Sequence, residues 1–237
     1  MSILVLLRHG ESTANADDRF GGWLDFELTE RGREQAARAG QLIRAAGIPP
    51  AVVHTSLLRR AVDTAEIVIT ETNATKAPVH RSWRLNERHY GRLQGRTRAS
   101  VLEEFGDAMF NELRRSYDTA APPAGPPGEH IDGESLAEVR KRLVPYWSAE
   151  IAAHLRAGRT TLVVAHGNSL RALCMHLDDL TAEQVSTLNI PTGVPLRYEL
   201  DESLAPLVAG GVYLGSSSSA STAPAMRNAV LASGTPQ

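Results

Sequence analysis

The stretch Ile3-Leu4-Val5-Leu6-Leu7-Arg8-His9-Gly10-Glu11-Ser12 decides the fold of this chain. Five consecutive apolar residues are typical of a strand buried on both faces, and the run is too short to span a membrane. Polar residues follow at once, and open α/β sheets bind ligands where their strands end. The stretch therefore predicts a buried strand that carries Arg8 and His9 into a ligand site.

A second junction of the same kind lies in the other half of the chain. The run Thr160-Thr161-Leu162-Val163-Val164-Ala165 is another candidate buried strand, and His166-Gly167-Asn168-Ser169 follows it. Because parallel strands end at the same edge of a sheet, we expect these two strands to be neighbours. The two histidines, His9 and His166, should then face one pocket.

Between these junctions the sequence alternates predicted strands and helices. Thr29 is a candidate N-cap for a helix over 30–46, and Ala51–His54 reads as a short strand. Thr55-Ser56 is expected to cap the next helix, over 57–72. Strand, helix, strand and helix in succession predict an α/β fold of three layers, in which helices flank a central, mostly parallel sheet.

Later segments continue this pattern. A helix is predicted over 98–117, and capping boxes begin at Ser135 and Thr181. The helix after Ser135 should be kinked by Pro145. Its apolar positions recur at helical spacing and predict core contacts: Leu136, Val139, Leu143, Trp147, Ile151 and Leu155.

The remaining segments are predicted to be irregular or to end the sheet. The stretches 13–27 and 83–91 are expected to be loops, and the Pro- and Gly-rich composition of 120–133 also predicts a loop. A helix over 169–177 should follow the second junction, and Leu196–Leu200 should form the last strand.

Composition limits the class of protein. The 237 residues carry a net charge of −2, with 25 basic and 27 acidic side chains, so a general affinity for nucleic acid is not expected. The single cysteine, Cys174, excludes an intrachain disulfide. Neither a signal peptide nor a membrane-spanning run is recognised, and we expect a cytoplasmic protein. One catalytic domain over 1–214 and a flexible tail over 215–237 are predicted.

Five residues together suggest phosphoryl-transfer chemistry. A neutral imidazole is a good nucleophile near pH 7, so His9 or His166 could accept a phosphoryl group. Arg8 and Arg60 could neutralise its oxygens with bidentate donors, and Glu87 could exchange a proton with the reacting oxygen. These cations make a metal ion unnecessary, and no convincing metal-ligand spacing is found.

The motifs resemble those of a known family. Arg8-His9-Gly10-Glu11-Ser12 resembles the defining motif of the histidine phosphatase superfamily. Further blocks resemble the cofactor-dependent phosphoglycerate mutases within it: Arg19-Phe20, Gly22-Trp23, 55–61, 85–91, 93–95, 165–173 and 188–196. The blocks Asn86-Glu87-Arg88-His89-Tyr90-Gly91 and Asn189-Ile190-Pro191-Thr192-Gly193 are the most specific to the mutases.

The resemblance implies an activity and a site. It implies interconversion of 2-phosphoglycerate and 3-phosphoglycerate through a phosphohistidine at His9, primed by 2,3-bisphosphoglycerate and without a metal. Arg8, Arg60 and His166 would hold the transferring group, and Glu87 would be the acid and base. It further implies a homo-oligomer, a dimer or a tetramer. Substrate contacts are expected from Ser12, Asn15, Gly21, Gly22, Arg88, His89, Tyr90, Arg98, Arg114, Arg115, Gly167 and Asn168.

Three departures from the mutase pattern keep alternatives open. Gly21 stands where threonine is usual, Arg98 stands where lysine is usual, and the segment over 120–133 is short. The loss of a hydroxyl donor at Gly21 and a short lid favour a second hypothesis, a phosphatase of the same superfamily acting on a small phosphorylated metabolite. A third hypothesis is a phospholigand-binding protein without catalysis.

Overall fold

A six-stranded mixed sheet forms the centre of the molecule. The structure, a computed structural model, describes residues 1–125 and 132–215. The strands lie in the order β3-β2-β4-β1-β5-β6, in which the first four are parallel and the last two antiparallel to their neighbours. Their bounds are β1 Ser2–Arg8, β2 Val52–Thr55, β3 Val79–Arg81, β4 Thr161–Ala165, β5 Leu196–Leu200 and β6 Val212–Tyr213.

Helices connect the strands and cover the sheet. Their bounds are α1 Thr13–Ala16, α2 Glu30–Ala45, α3 Arg59–Glu71, α4 Arg98–Arg115, α5 Leu136–Tyr146, α6 Ala152–Arg156, α7 Gly167–Leu177 and α8 Ala182–Thr187. Short 3₁₀ turns lie at Trp83–Leu85 and Gly91–Leu93. The predicted α/β class, with helices on a mostly parallel sheet, is confirmed.

Strand β1 contributes side chains to the hydrophobic core on both faces of the sheet. Leu4 and Leu6 pack with helices α5 and α7 on one face, whereas Val5 and Leu7 pack with α2 and α3 on the other. This alternation follows from the two-residue period of a strand, and it explains why β1 is apolar throughout. The predicted apolar stripe from Leu136 to Leu155 is also confirmed, because all six of its side chains are buried.

The two predicted junctions lie side by side. Strand β1 pairs in parallel with β4, with Arg8 opposite Ala165. One residue further, the backbone N–H of His9 donates to the carbonyl of Ala165 at 3.0 Å. The expectation that both histidines emerge from adjacent strands is therefore confirmed, and the site lies at the carboxyl ends of β1 and β4.

Three local predictions were wrong. The segment 13–27 is not a loop throughout, because Ser12 caps the short helix α1. Leu196–Leu200 is not the last strand, since β6 pairs beside it. The N-cap of α3 is Leu58 and lacks a side-chain bond, whereas Ser56 Oγ accepts only the N–H of Leu58 ahead of the helix.

Two helices contain breaks. Pro145 lacks the N–H that would continue the α-helical pattern, and a π-helical turn over Trp147–Ile151 follows it before α6 begins. The predicted helix over 98–117 ends at Arg115 and contains Gly106, whose φ of 72° interrupts it.

Several expectations fall outside the described residues. The predicted loop over 120–133 includes residues 126–131, and the predicted tail over 215–237 includes residues 216–237, which are not described. Across 1–125 and 132–215, no helix is long and apolar enough to cross a membrane.

Candidate active site

A cationic cavity opens at the carboxyl ends of β1 and β4. Its volume is about 350 Å³. Glu11 and Glu87 are the two carboxylates on its wall, which also carries seven arginines: Arg8, Arg19, Arg60, Arg98, Arg114, Arg115 and Arg171. A chain of net charge −2 thus concentrates positive charge at one place, and this suits an anionic ligand of high charge.

His9 lies at the base of this cavity, directly after β1. Its Nδ1 atom is 2.7 Å from the carbonyl oxygen of Gly10. A carbonyl can only accept, so Nδ1 carries the proton and Nε2 keeps its lone pair. Burial, together with Arg60 and Arg8, holds the pKa of His9 well below its usual value. The ring is therefore neutral near pH 7 and presents Nε2 as a nucleophile.

His166 lies beside His9, with 4.9 Å between the ring centroids. It is the N-cap of α7, where its backbone N–H donates to Ser169 Oγ at 3.0 Å. Its Nε2 is 2.8 Å from Ser56 Oγ, and its Nδ1 makes no hydrogen bond within the described part of the chain. Burial, Arg60 and His9 lower the pKa of His166, which is therefore also neutral.

Two arginines are fixed next to His9 by backbone carbonyls. Arg60 donates to the carbonyls of Gly22 at 2.8 Å and Leu24 at 2.9 Å. Arg8 donates to the carbonyl of Ile190 at 2.9 Å, and its buried Nε has no partner among the described residues. Burial lowers the pKa of Arg60 to about 10, so it remains cationic at neutral pH. Neutral acceptors hold these guanidinium groups without neutralising them.

The neighbouring Arg59 has a different role. It lies outside the cavity wall and forms ion pairs with Glu27 and with Asp63, the latter at 3.6 Å. An arginine in the first turn of a helix opposes the helix dipole. The structure shows that only Arg60 of this pair lines the cavity, whereas carboxylates compensate Arg59.

Glu87 reaches the cavity on a rigid support. Its backbone carbonyl accepts from Trp23 Nε1 at 2.6 Å and from Arg142 at 3.0 Å. Its Oε1 atom accepts three N–H groups, from the Arg88 backbone and from the backbone and side chain of Asn168, at 2.7 to 3.1 Å. Oε1 is therefore saturated, and Oε2 is the carboxylate oxygen left for proton exchange.

Hydrogen bonds at both Nδ2 and Oδ1 fix the orientation of the Asn168 side-chain amide. Its Nδ2 donates to Glu87 and, at 2.9 Å, to the Tyr90 hydroxyl, while its Oδ1 accepts from Arg171 at 2.9 Å. Arg171 is itself held by the carbonyl of Val185 at 2.7 Å. Asn168, predicted to contact substrate, therefore lines the cavity with both amide atoms already engaged.

Other predicted substrate contacts also line the wall. Arg98 pairs with Asp18 at 2.6 Å, the Arg114 guanidinium lies 5.1 Å from the Phe110 ring centre, and Arg115 is 3.5 Å from the carbonyl of Leu188. Ser12, Asn15, Gly21, Gly22, Tyr90 and Gly167 also line the cavity.

Ser12 and Asn15 contact each other within the cap of α1. Oδ1 of Asn15 accepts from the backbone N–H of Ser12 at 3.1 Å and from its hydroxyl at 2.9 Å. Nδ2 of Asn15 is therefore the amide atom available to a ligand.

Three predicted site residues are not on the cavity wall: Arg88, His89 and His166, the last of which is buried beside His9. Arg88 is fully buried, donates to the carbonyl of Leu113 and lies 4.6 Å from the Tyr90 ring centre. His89 accepts the Gly91 backbone N–H at 3.2 Å. The side chains of Arg88 and His89 thus contact the loop that carries Glu87 and not the cavity, and their direct contact with substrate stays a prediction.

Conversely, sequence reasoning missed several wall residues. Arg19, Arg171, Asn189 and Thr192 line the cavity. All four lie in motif blocks quoted above, so their position in those blocks was a usable signal. Arg171 in particular follows His166 by five positions, on α7.

Comparisons with known proteins agree with this geometry. Residues 4–205 match the family model of the histidine phosphatase superfamily, branch 1. A protein of Thermobifida fusca named 2,3-bisphosphoglycerate-dependent phosphoglycerate mutase is 49% identical, over 96% of this chain and 99% of its own length. A protein of the same name from Rhodococcus jostii is also 49% identical, over 95% of each chain.

The chain belongs to the 2,3-bisphosphoglycerate-dependent phosphoglycerate mutases of the histidine phosphatase superfamily. The predicted resemblance is therefore confirmed over nearly the whole chain. Among solved structures, this mutase-family chain resembles a mycobacterial glucosyl-3-phosphoglycerate phosphatase studied with VO3, with a TM-score of 0.71 and 30% identity. That match covers 84% of this chain and 93% of the phosphatase.

Proposed function

We propose that this protein interconverts 2-phosphoglycerate and 3-phosphoglycerate through a phosphoryl group carried on His9, primed by 2,3-bisphosphoglycerate. The observation that carries the proposal is the neutral His9 ring, which presents Nε2 at the base of a cavity with seven arginines. The names of the relatives from T. fusca and R. jostii support the same activity.

The cavity fits a primer with two phosphates and a carboxylate. Within residues 1–125 and 132–215, Arg8 Nε and His166 Nδ1 are buried without hydrogen-bond partners, which leaves polar atoms that could bind one phosphoryl group. Arg98, Arg114 and Arg115 also line the cavity and could neutralise the remaining negative charge. When bound, the primer supplies the phosphoryl group that His9 accepts.

Phosphoryl transfer requires the charge on three equatorial oxygens to be neutralised. Arg8 and Arg60 line the cavity together with His9, and carbonyl acceptors fix both guanidinium groups in advance. Such preorganised donors stabilise the transition state without reorganising during the reaction. His9 Nε2 attacks phosphorus, and the proton stays on Nδ1, which donates to the Gly10 carbonyl throughout.

Glu87 moves the proton. When His9 is phosphorylated, Oε2 of Glu87 donates a proton to the departing alkoxide oxygen. In the return step the same oxygen removes the proton from the substrate hydroxyl that attacks the phosphohistidine. No group of three or more histidine, cysteine or acidic side chains in 1–125 and 132–215 is arranged to hold a metal ion, and the arginines supply the positive charge.

A phosphatase of the same superfamily remains the second candidate. Water would replace the substrate hydroxyl as the acceptor of the phosphoryl group on His9. Two observations favour it: the absence of a hydroxyl at Gly21, and the similarity to a solved phosphatase structure.

A coupled assay separates these activities. Purified protein is mixed with 3-phosphoglycerate, with and without 2,3-bisphosphoglycerate, and formation of 2-phosphoglycerate and release of phosphate are followed together. We expect primer-dependent isomerisation, unchanged by EDTA, that exceeds phosphate release. Phosphate release in excess of isomerisation would support the phosphatase.

The carrier residue is tested directly. After mixing with labelled primer, acid-labile and base-stable label is expected on the wild-type chain and not on His9→Ala. Full turnover by His9→Ala would overturn the proposal. Ligand binding by a wild-type protein that neither turns over nor takes up label would indicate a binding protein.

A further inference from the structure

Ser56 has a buried hydroxyl that takes no part in the proton transfer and phosphoryl transfer described for His9 and Glu87. It lies between β2 and α3 and has no exposed surface. The loop around it is fixed, because the backbone N–H of Leu57 donates to Asn86 Oδ1 at 3.0 Å and Thr55 Oγ1 donates to the carbonyl of Val164 at 2.9 Å. Ser56 Oγ has two partners, Leu58 N at 3.1 Å and His166 Nε2 at 2.8 Å.

The direction of the bond between Ser56 and His166 follows from counting protons. The Leu58 backbone N–H donates, so it occupies one lone pair of Ser56 Oγ. The hydroxyl proton then needs an acceptor, and His166 Nε2 is the only acceptor that the described residues place next to it. A donor on Nε2 would leave the serine proton buried without a partner, which is costly.

We propose that Ser56 is a positioning residue that holds His166 in its Nδ1–H tautomer, so that Nδ1 is a ready hydrogen-bond donor to the transferring phosphoryl group. The kinetic part of this inference rests on the proposed function, whereas the tautomer itself does not. His166 Nδ1 is buried, has no partner in the described chain and belongs to a ring whose centroid is 4.9 Å from that of His9.

The tautomer matters because His166 has only one ring proton. Burial and the neighbouring Arg60 keep its pKa well below the usual value, so the imidazolium with two donors is not available near neutral pH. In the Nε2–H tautomer, Nδ1 would carry a lone pair, which would repel a phosphoryl oxygen brought next to it. The hydrogen bond from the Ser56 hydroxyl thus determines whether His166 Nδ1 attracts or repels the negative charge of the transferring phosphoryl group.

One competing arrangement exists. His166 is the N-cap of α7, and its side chain faces the backbone N–H of Ser169 in a capping-box arrangement; in the Nε2–H tautomer, Nδ1 would accept that N–H. That arrangement orients the ring for helix capping rather than for catalysis. The two arrangements predict opposite protonation of the same two nitrogens, and this makes the question measurable.

Nitrogen-15 NMR of the wild-type protein tests the tautomer without turnover. Long-range proton–nitrogen spectra of protein labelled at histidine distinguish Nδ1–H from Nε2–H, and His166→Gln identifies the signals of His166. We expect Nδ1–H in the wild type and a mixture of tautomers, or Nε2–H, in Ser56→Ala. An Nε2–H tautomer in the wild type, or an unchanged Nδ1–H tautomer in Ser56→Ala, would overturn the proposal.

Kinetics test the consequence. Ser56→Ala should lower kcat by about 10-fold with little change in KM, and Ser56→Thr, which restores a hydroxyl, should recover most of it. Ser2→Ala is the matched control, because it also removes one side-chain hydrogen bond, at 2.8 Å to Leu155, far from the site. Equal losses in Ser56→Ala and Ser2→Ala would refute a positioning role. A wild type without turnover would refute the proposed function, while the spectrum still decides the tautomer.

Discussion

The replacement Glu87→Gln should abolish proton transfer by residue 87 while it preserves substrate binding and the structure of the loop. Oε1 of Glu87 accepts three N–H groups, and a glutamine can present its carbonyl oxygen to the same three donors. The glutamine NH₂ then occupies the place of Oε2, the oxygen that exchanges the proton. The loop and the binding of substrate should therefore be preserved while the acid and base is lost.

The magnitude follows from what is removed. General acid–base catalysis contributes on the order of 10²- to 10⁴-fold, which corresponds to about 2.7 to 5.4 kcal/mol in the activation free energy. No additional loss is expected from unsatisfied donors, since all three N–H groups keep an acceptor. Phosphorylation of His9 by 2,3-bisphosphoglycerate should slow by this factor, because an alkoxide needs a proton to leave.

A second phosphoryl donor makes the assay specific. Acetyl phosphate releases acetate, a leaving group that needs no proton, so rapid-quench measurement of the phosphoenzyme should show a much smaller loss with this donor. Glu66→Gln is the matched control, because the Glu66 side chain forms an exposed ion pair with Arg81 and does not line the cavity. Equal losses with both donors, or a collapse of primer binding in Glu87→Gln, would refute the assigned role.

Three other outcomes are expected from the same structure. Arg171→Lys removes the planar donor that orients the Asn168 amide, and steady-state assays should show kcat/KM lower by about 10-fold. Burial and two neighbouring histidines lower the pKa of His54 to about 3 in the folded chain. Between about pH 3 and 6.5, the unfolded chain therefore binds a proton at His54 that the folded chain does not bind. The free energy of unfolding should hence fall below pH 6.5, by roughly 2 kcal/mol at pH 5 from His54, and urea titrations of His54→Gln should show a smaller decrease. A Cβ at Gly10 would lie 2.1 Å from a backbone oxygen, whereas one at Gly21 would meet nothing closer than 3.6 Å. Gly10→Ala should therefore lose about 3 kcal/mol or more of unfolding free energy, and Gly21→Ala less than about 1 kcal/mol.

The sequence predicted the frame of the site because its signals there are local. The apolar runs before His9 and His166 have the length of buried strands, and their pairing follows from the parallel sheet. Helix caps at Thr29 and Ser135 are also local, and both occur as predicted.

What the sequence did not predict depends on contacts between distant segments. Arg88 and His89 lie beside Glu87 in the chain but not on the cavity wall: the Arg88 side chain donates to the Leu113 carbonyl, and the His89 backbone N–H donates to Glu134. Ser56 was expected to cap a helix, a local role that serines often have. Its actual partner, His166, lies 110 positions further along the chain, beyond the reach of any local pattern.

The arginines of the cavity affect the stability of the folded protein. Arg8, Arg60, Arg115 and Arg171 are held by carbonyls, and none of the four forms an ion pair within residues 1–125 and 132–215. Their mutual repulsion destabilises the empty enzyme, and a polyanion relieves it. A ligand at 100 times its Kd adds about 2.7 kcal/mol of stability. By mass action, the fraction of folded enzyme therefore rises and falls with the supply of its own phosphorylated metabolites.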